Sequence, residues 1–434
     1  MERILIETHG CTLNRADSGI MRSVLEGKGF EVDSKRYSYS EGGYDYVIVN
    51  TCTVKKQTEQ RITERLGRMR ALGKRLVVTG CMASANSDMI AKVVPEASIV
   101  GTSRISEIGD VIEDLREGGK STLTEYVKGD KLANYVAGKG RQVIARIPVS
   151  EGCISSCSFC ETKFARGPLN SFSEELILRA AKMSIDSGAK EIELTSQDMG
   201  AYGLDRRTNV AKLSSALSSI EGEFRIRIGM LNPEHLYRYI DDLIYAYNNG
   251  KLFKFIHLPV QSGSDSVLRK MGRRYTSDEF RGYARELREK VNGMSIETDI
   301  IIGYPAESED DFAETVNLLE DVKPDVTNLS KFSRRPHAPA SRIAGLDNSV
   351  IKSRSIMLSR MVRRMQHEEY SRFVGTVRRV LITEENRKSY AGRDDSYRAV
   401  AVTNIDDPSE LGRFIDVRVT GNSYACLISS ALHG

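Results

Sequence analysis

Short apolar runs alternate with longer polar segments of helical spacing in the first part of the chain. Four such runs lie at residues 3–7, 46–50, 76–79 and 98–100. Strands that are apolar on both faces and alternate with helices are typical of a parallel sheet that is covered on both sides. The pattern therefore predicts the α/β class and an N-terminal doubly wound parallel sheet, which we place at residues 1–125.

The same alternation resumes after a stretch at residues 124–141 in which glycine and lysine recur. The predicted strands of this second part are residues 143–149, 191–195, 225–229, 254–258, 296–302 and 326–332. A helical segment lies between each pair of strands. Six such units predict a partial (β/α)6 barrel, and the chemistry of β/α barrels lies at the carboxyl ends of the strands. We place this barrel at residues 141–368.

The pattern changes once more in the last part of the chain. Short β-rich runs at residues 375–382, 398–402, 414–419 and 425–428 are separated by turn residues, and no helical spacing is evident. About 60 residues of this kind are typical of a small β-barrel of the OB type. We place this OB-like barrel at residues 369–434.

Composition and charge indicate where in the cell the protein works, but they point to no particular reaction. The chain has 434 residues and a formal charge of +4. The apolar run at the N-terminus is interrupted by an acid, which argues against a signal peptide, and no stretch approaches the roughly 20 apolar residues of a membrane helix. Seven cysteines, an odd number, disfavour a disulfide framework. We therefore expect a cytoplasmic monomer without a membrane partner.

Three cysteines with the spacing C-x3-C-x2-C follow the first predicted barrel strand: Cys153, Cys157 and Cys160. Thiolates at such close spacing select an iron–sulfur cluster or zinc. Structural zinc normally requires four ligands, and no fourth Cys or His lies nearby in the sequence. Three ligands on a four-iron cluster leave one iron open to a substrate or cofactor. The spacing favours a [4Fe–4S] cluster, with zinc as the alternative.

Cys11, Cys52 and Cys81 each follow a predicted strand of the N-terminal sheet. Because the carboxyl ends of parallel strands lie at one edge of a sheet, where open α/β sheets bind ligands, we expect these cysteines to meet. The alternative is that they are ordinary core residues. His9 is a candidate for orienting a metal ligand, or for a structural role. The seventh cysteine, Cys426, lies in an apolar run and is expected in the core.

The C-x3-C-x2-C segment resembles the radical SAM superfamily. The resemblance implies that the open iron of the cluster binds S-adenosylmethionine (SAM). It implies further that an electron from the cluster cleaves SAM to give a 5′-deoxyadenosyl radical, and that Phe159 packs near the adenine of SAM.

The segments around the upstream cysteines are GCTLN, NTCTV and TGCM. Followed by C-x3-C-x2-C and a small β-barrel, they resemble the methylthiotransferase family over the whole chain. The resemblance implies that Cys11, Cys52 and Cys81 hold a second [4Fe–4S] cluster, whose open iron carries sulfur. It implies that a second SAM methylates this sulfur, and that the CH3S group is transferred to a substrate carbon from which the radical has removed hydrogen.

Further segments are similar to the same family. They are HLPVQSGS at residues 257–264, TDIIIGYP at residues 298–305 and SRRPHAPA at residues 333–340. In the last one, His337 stands where the family usually has glycine, which leaves the shape of this loop open. The C-terminal barrel resembles a TRAM domain, an RNA-binding module.

Three substrate branches of the family are open: tRNA with isopentenyl-adenosine, tRNA with threonylcarbamoyl-adenosine (t6A), and a ribosomal-protein aspartate. TKFARGPLNS at residues 162–171 and LTSQDMGAYG at residues 194–203 most resemble the archaeal and eukaryotic t6A branch. The resemblance implies conversion of t6A at position 37, in the tRNA anticodon loop, to its 2-methylthio derivative. An electron-donor protein and a sulfur donor are the further partners expected. The alternative without enzymatic activity is a zinc-stabilised RNA-binding protein.

Basic residues are concentrated between residues 328 and 365, where nine Lys or Arg accompany one acid, Asp347. Such a concentration is typical of a surface that binds phosphates, and the alternative is a solvated basic helix. From residue 369 onward the charge is balanced, so an RNA contact there requires a local basic face. The predicted RNA contacts are Arg334, Arg335, Arg360, Arg363, Arg364, Arg372, Arg378 and Arg379.

Polar residues on the barrel strands are candidates for binding SAM. Ser196, Gln197 and Asp198 follow the second predicted barrel strand, where a ligand is expected. Arg227 and Asp299 lie on later strands and are further candidates. For these two, the alternative is a buried ion pair inside the barrel.

Overall fold

A computed structural model describes most of the chain. The described residues are 2–35, 43–53, 56–137, 142–386, 389–405 and 408–432. Val54 of the NTCTV segment and residue 141, the predicted start of the barrel, lie outside them. Within the described ranges the chain forms a parallel N-terminal sheet, a barrel of parallel strands and a small closed β-barrel.

The N-terminal sheet has six parallel strands in the order β2-β1-β3-β4-β5-β6. They are β1 (Arg3–Thr8), β2 (Glu31–Lys35), β3 (Tyr46–Thr51), β4 (Arg75–Gly80), β5 (Ser98–Val100) and β6 (Thr122–Leu123). The helices are α1 (Thr12–Gly27), α2 (Lys56–Ala71), α3 (Cys81–Ala85), α4 (Ser87–Val93) and α5 (Ile108–Arg116). The predicted parallel sheet is confirmed, although the apolar pattern missed the polar strand β2 and the two-residue strand β6.

Alternate side chains of the N-terminal strands pack against helices on opposite faces of the sheet. Ile4 and Ile6 of β1 lie in the same core as Ile20 of α1. Leu5, between them, lies in a second core with Ile62 of α2. Burial on both faces explains why the central positions of β1 are apolar without alternation.

The barrel contains six parallel strands in sequence order. It is built from two three-stranded sheets, β7-β10-β11 and β12-β13-β14, which the parallel bridge between Ile226 and Leu252 connects. A short hairpin of β8 and β9 follows β7. The strands are β7 (Ile144–Pro148), β8 (Ser150–Glu151), β9 (Asn170–Ser171), β10 (Glu191–Thr195), β11 (Arg225–Ile228), β12 (Phe255–His257), β13 (Ser295–Ile302) and β14 (Val326–Lys331). In the described part of the chain no pairing joins β14 to β7, so the barrel is partial, as predicted.

Helices separate the barrel strands and connect the barrel to the C-terminal domain. They are α6 (Thr162–Arg166), α7 (Glu174–Asp186), α8 (Val210–Ser218), α9 (Ile240–Asn249), α10 (Asp265–Met271), α11 (Ser277–Lys290), α12 (Glu309–Val322) and α13 (Asn348–Ser371). The last of these has 24 residues and is therefore about 36 Å long. It begins after the carboxyl end of β14 and ends at the C-terminal domain.

The C-terminal domain is a closed barrel in the order β15-β16-β17-β19-β18. Its strands are β15 (Val377–Asn386), β16 (Ser389–Asp394), β17 (Ala399–Thr403), β18 (Phe414–Asn422) and β19 (Leu427–Ala431). Five strands in a closed barrel confirm the predicted OB-like architecture. Cys426 is half-buried in the turn before β19 rather than in the core, because the backbone there bonds back to Ser423.

The C-terminal domain closes the amino-terminal end of the larger barrel. The ring of Tyr397 lies 4.9 Å from that of Phe253 and 5.0 Å from that of Phe255, measured between centroids. Its hydroxyl donates to Glu191, the first residue of β10, at 2.8 Å. Arg398 pairs with Asp325, just before β14, at 3.2 Å. These contacts leave the carboxyl ends of the barrel strands on the opposite side.

The N-terminal domain docks against the barrel through helix α1. The hydroxyl of Thr12, in its first turn, donates to Glu193 of β10 at 3.1 Å. Glu193 also pairs with Arg146 of β7 and Arg227 of β11, each at 3.0 Å. The start of α1, which follows Cys11, therefore reaches the polar interior of the barrel.

We expect the Gly80→Ala variant to destabilise the N-terminal domain. Gly80 has φ +92° and ψ −167°, and an added Cβ would lie 2.4 Å from the carbonyl oxygen of Thr51. Such a conformation costs a residue with a side chain about 1–3 kcal/mol before the steric clash is counted. Urea unfolding of the metal-free chain, followed by circular dichroism, measures the loss.

The matched control is Gly282→Ala, in the interior of helix α11, where an added Cβ meets no atom within 4 Å. This change should be neutral or stabilising by up to about 1 kcal/mol. A Gly80→Ala variant as stable as the parent would contradict the account of this turn.

Candidate active site between two cysteine triads

The structure brings the three upstream cysteines to one edge of the N-terminal sheet. Cys52 follows β3 and Cys81 follows β4, and the residues before them, Thr51 and Gly80, are partners in the strand register. Cys11 occupies the N-cap position of α1, the helix that follows the neighbouring strand β1. The three cysteines therefore follow adjacent strands at one edge of the sheet, and Cys52 also packs in the core beside α2.

Asn14 of the GCTLN segment organises this edge. Its side-chain nitrogen donates to the side-chain oxygen of Asn50 at 2.9 Å and to the carbonyl of Thr51 at 2.8 Å. Its oxygen then lies 3.3 Å from Cys11 Sγ and 4.0 Å from Cys81 Sγ. The two asparagines that flank the cysteines in the sequence therefore hold the strand ends together. His9 instead contacts Glu7, at 2.6 Å.

Arg166, at the end of α6, connects the barrel to this edge. Its side chain is 1% exposed, and its Nε lies 3.3 Å from Cys81 Sγ. The same guanidinium pairs with Asp17 of α1 at 2.6 Å and with Glu151 of β8 at 2.9 Å. Lys131 pairs with the same two carboxylates, at 2.6 and 2.7 Å. Burial raises the pKa of the Cys81 thiol, and Arg166 partly opposes this effect.

The second triad lies on the loop that follows β7 and β8. Ser158 fixes this loop, since its backbone N–H donates to the carbonyl of Met271 at 2.9 Å and its carbonyl accepts from Ala340 at 2.8 Å. Burial raises the pKa of Cys153 to about 12 and also raises the pKa of Cys157. None of the seven cysteines, all of which the structure describes, forms a disulfide.

The two triads adjoin through residues 160–166. Glu161 follows Cys160, and its carboxylate accepts from the hydroxyl of Thr53, the residue after Cys52, at 3.1 Å. At the other end of this short segment, Arg166 contacts Cys81. One stretch of the barrel chain therefore touches both triads.

Polar atoms at the carboxyl end of β10 bear on whether this face of the barrel fits a bound cofactor such as SAM. Ser196 Oγ and Gln197 Oε1 are buried at the end of β10 without a hydrogen-bond partner among the described residues. Orphaned polar atoms at this position fit a polar ligand.

Arg273 adds a buried cation beside the same loop. Its guanidinium carbon lies 5.6 Å from the ring centroid of Phe159, and its Nε has no partner in the described chain. Burial acts to lower the pKa of Arg273, but Tyr275, Cys157 and further negative groups outweigh it, and the pKa lies above its usual value. The loop thus has a positive group suited to a carboxylate or to an anionic cluster. Neither Arg273 nor Arg166 was assigned a role from the sequence, although Arg166 lies in the family-like segment TKFARGPLNS.

The other candidate SAM contacts have protein partners. Asp198 Oδ1 accepts from the backbone of Gly200 at 2.8 Å and of Asn232 at 2.9 Å, which ties the ends of β10 and β11 together. Arg227 pairs with Glu193 and lies over the ring of Tyr397. The pair with Glu193 is the buried ion pair that was the alternative to a contact with SAM.

Asp299 lies beside His257 on the neighbouring strand. His257 Nε2 is 3.1 Å from Asp299, which also accepts from Asn328 at 2.9 Å. Burial opposes the charge on both groups, but their mutual contact outweighs it, raising the pKa of His257 and lowering that of Asp299. This charged pair is a polar feature of the barrel wall.

The predicted RNA contacts differ in exposure. Arg335 is 5% exposed and pairs with Glu59 of the N-terminal domain at 2.7 Å, so it is not available on the surface. Arg378 is half-buried and pairs with Asp394 at 3.0 Å. The exposed members of the set are Arg334, Arg360, Arg363, Arg364, Arg372 and Arg379. Of these, Arg372 pairs with Glu369 and Arg379 pairs with Glu223.

Three regions of the chain match known families. Residues 3–101 match the "Uncharacterized protein family UPF0004", residues 147–319 the radical SAM superfamily, and residues 371–422 the TRAM domain. The radical SAM match implies SAM and one [4Fe–4S] cluster, and the TRAM match indicates RNA binding. No described helix has both the length and the apolar character to cross a membrane.

Solved structures share the fold. The radical SAM methyltransferase TsrM from Kitasatospora setae, with cobalamin and a [4Fe–4S] cluster bound, has a TM-score of 0.59 at 15% identity, covering 79% of this chain and 77% of that one. The cobalamin-dependent SAM radical enzyme OxsB has a TM-score of 0.56 at 12% identity, covering 94% of this chain and 65% of that one. At such low identity the likeness extends to the fold alone.

Sequence relatives are closer. The probable threonylcarbamoyladenosine tRNA methylthiotransferase of Pyrococcus abyssi is 39% identical, over 89% of this chain and 90% of its own length. The threonylcarbamoyladenosine tRNA methylthiotransferase of Homo sapiens is 31% identical, over 96% of this chain and 72% of its own length. With the two triads and the three matched regions, this identity shows that the chain is a radical SAM enzyme and belongs to the threonylcarbamoyladenosine tRNA methylthiotransferase family.

Proposed function

We propose that this enzyme replaces the hydrogen on carbon 2 of t6A, at position 37 of tRNA, with a methylthio group. The observation that carries the proposal is the segment 160–166, which begins at Cys160 of the barrel triad and reaches Cys81 of the N-terminal triad through Arg166. The reaction needs a site for radical formation and a site that holds sulfur, and this contact supports placing the two side by side. The substrate follows from the names of the relatives.

The barrel residues would hold SAM and the first cluster. Cys153, Cys157 and Cys160 would bind the [4Fe–4S] cluster, which with SAM supplies the radical that removes hydrogen from the substrate. Ser196, Gln197 and Arg273 would bind polar groups of SAM, and Phe159 would pack near its adenine. Asp198 would fix the backbone at the ends of β10 and β11, and Asp299 would hold the side chain of His257. Arg227 would act through its pair with Glu193.

The N-terminal triad would hold a second [4Fe–4S] cluster that supplies the sulfur. Cys52 and Cys81 are buried, at 7% and 4% exposure, whereas Cys11 is exposed. Two buried ligands would shield the cluster from water, and the exposed side would face a sulfur donor and the substrate. We also propose an electron-donor protein as a partner. The cytoplasmic location and the monomeric state are proposals as well.

Helix α13 would guide the tRNA to this site. Arg360, Arg363 and Arg364 are exposed on it, and Arg363 lies over the ring of Tyr424 in the TRAM domain at 5.0 Å. These three side chains lie within about 6 Å along the helix axis and form a basic group that suits the phosphates of an RNA stem. The anticodon stem would follow α13, with its loop at the cysteine triads.

We expect the two triads to separate into two functions. Cys157→Ala should abolish SAM cleavage because the barrel cluster loses a ligand. Cys52→Ala should leave the formation of 5′-deoxyadenosine largely intact while stopping sulfur insertion. Liquid chromatography with mass spectrometry of the nucleosides, after reaction with tRNA that carries t6A, measures both products.

Cys426→Ala is the matched control, since this cysteine lies outside both triads, and it should keep both activities. The reconstituted parent should hold about eight irons per chain, as two four-iron clusters require. A parent that binds only zinc would overturn the proposal. Methylthiolation of isopentenyl-adenosine tRNA or of a ribosomal protein, with none of t6A, would overturn the substrate assignment.

We expect the double variant Arg360→Gln with Arg364→Gln to bind tRNA more weakly. The logarithm of the affinity falls as the logarithm of the salt concentration rises. Each lost phosphate contact should make this slope less steep by about 1, hence by about 2 for the pair. Fluorescence anisotropy with labelled tRNA at several salt concentrations measures this slope. The control is Lys182→Gln with Lys212→Gln, on helices α7 and α8, which should keep the parent slope. Equal slopes for all three proteins would contradict the proposed role of α13.

A further inference from the structure

The guanidinium of Arg166 has one buried N–H group without an acceptor. Nη1 bonds to Asp17 and Glu151, and Nε donates to Cys81 Sγ. Nη2 is shielded from solvent and has no partner among the described residues. Lys131 also pairs with the carboxylates of Asp17 and Glu151, so neither carboxylate requires a hydrogen bond from Nη2 of Arg166. A buried charged donor without an acceptor is costly, which indicates a missing acceptor.

The shape of the guanidinium shows where that acceptor lies. The group is planar, and Nε–H and one N–H of Nη2 point in the same direction as a fork. Because the Nε arm of this fork addresses Cys81 Sγ, the empty Nη2 arm points beside the same sulfur. Cys11 also reaches this place, through the shared contact with Asn14.

The residues around the fork favour a sulfur atom as the acceptor. Asp17 and Glu151 are balanced by Arg166 and Lys131, so the network has no excess charge of its own. Thiolates that bind a four-iron cluster would add negative charge at this place, and the guanidinium of Arg166 is a positive group in direct contact with one of them, Cys81. Hydrogen bonds to cluster sulfurs and nearby charge are what tune the potential of such clusters.

We propose that Nη2–H of Arg166 donates a hydrogen bond to a sulfur atom of the cluster held by Cys11, Cys52 and Cys81. Arg166 is then a positioning residue, and it raises the reduction potential of this cluster because its charge and its N–H groups stabilise the more negative reduced state. The inference rests on the proposed second cluster. It extends that proposal by naming the residue of the barrel that controls it.

The test uses the full chain with Cys153, Cys157 and Cys160 changed to Ala, so that only the N-terminal cluster forms. The protein is labelled with 15N in the arginine guanidinium groups, reconstituted with iron and sulfide, and reduced. Pulsed electron paramagnetic resonance should detect a 15N coupling to the cluster. Arg166→Lys keeps the charge but loses the fork, so this coupling should disappear and the midpoint potential should become more negative.

Arg70→Lys is the matched control. It makes the same substitution at an exposed arginine of α2 that pairs with Glu96, outside the buried network, and should keep the 15N coupling and the potential of the parent. A reconstituted chain with no iron would overturn the two-cluster function itself. A loaded chain without the coupling, or an Arg166→Lys variant with the coupling and potential of the parent, would overturn the role of Arg166 alone.

Discussion

A buried ionic network sets the geometry on which the rest of the site depends. Asp17 comes from the N-terminal domain and Glu151 from the barrel, and both are bridged by Lys131 and Arg166, all nearly inaccessible to solvent. Breaking a buried ion pair by removing one partner typically costs about 3–5 kcal/mol, so the four charges depend on one another. Arg166 lies six residues after Cys160 in the chain, and it also contacts Cys81. The network therefore fixes the two triads relative to each other.

The interior of the barrel is organised around a second set of paired charges. Glu193 joins three elements, since it binds Arg146, Arg227 and the hydroxyl of Thr12. At the amino-terminal end of the barrel, the ring of Tyr397 packs against Phe253 and Phe255. The TRAM domain thereby closes one end, while the N-terminal domain approaches from the other side. The proposed chemistry therefore lies at the carboxyl ends of the strands, which both triads follow.

The strands could be predicted from the sequence because burial on both faces selects mainly apolar residues. The N-terminal sheet, the barrel strands and the cysteines that follow the N-terminal strands could therefore be placed. The contacts of long charged side chains could not be predicted, because their partners come from distant parts of the chain. Arg335 pairs with Glu59, 276 residues away, and no count of local charge reveals such a pair. Arg166 lies in the segment TKFARGPLNS that resembles the family, but it was assigned no role, because its partners Asp17 and Cys81 are distant in the sequence.

The central claim is that the two triads form one site, and the magnetic interaction between their clusters tests it most directly. In the fully reconstituted and reduced chain, two neighbouring paramagnetic clusters should broaden each other's resonance and relax faster than either one alone. Cys52→Ala and Cys157→Ala provide the spectra of the single clusters. The account predicts that the spectrum of the parent differs from the sum of these two spectra. A parent spectrum equal to that sum would place the clusters far apart and contradict the account.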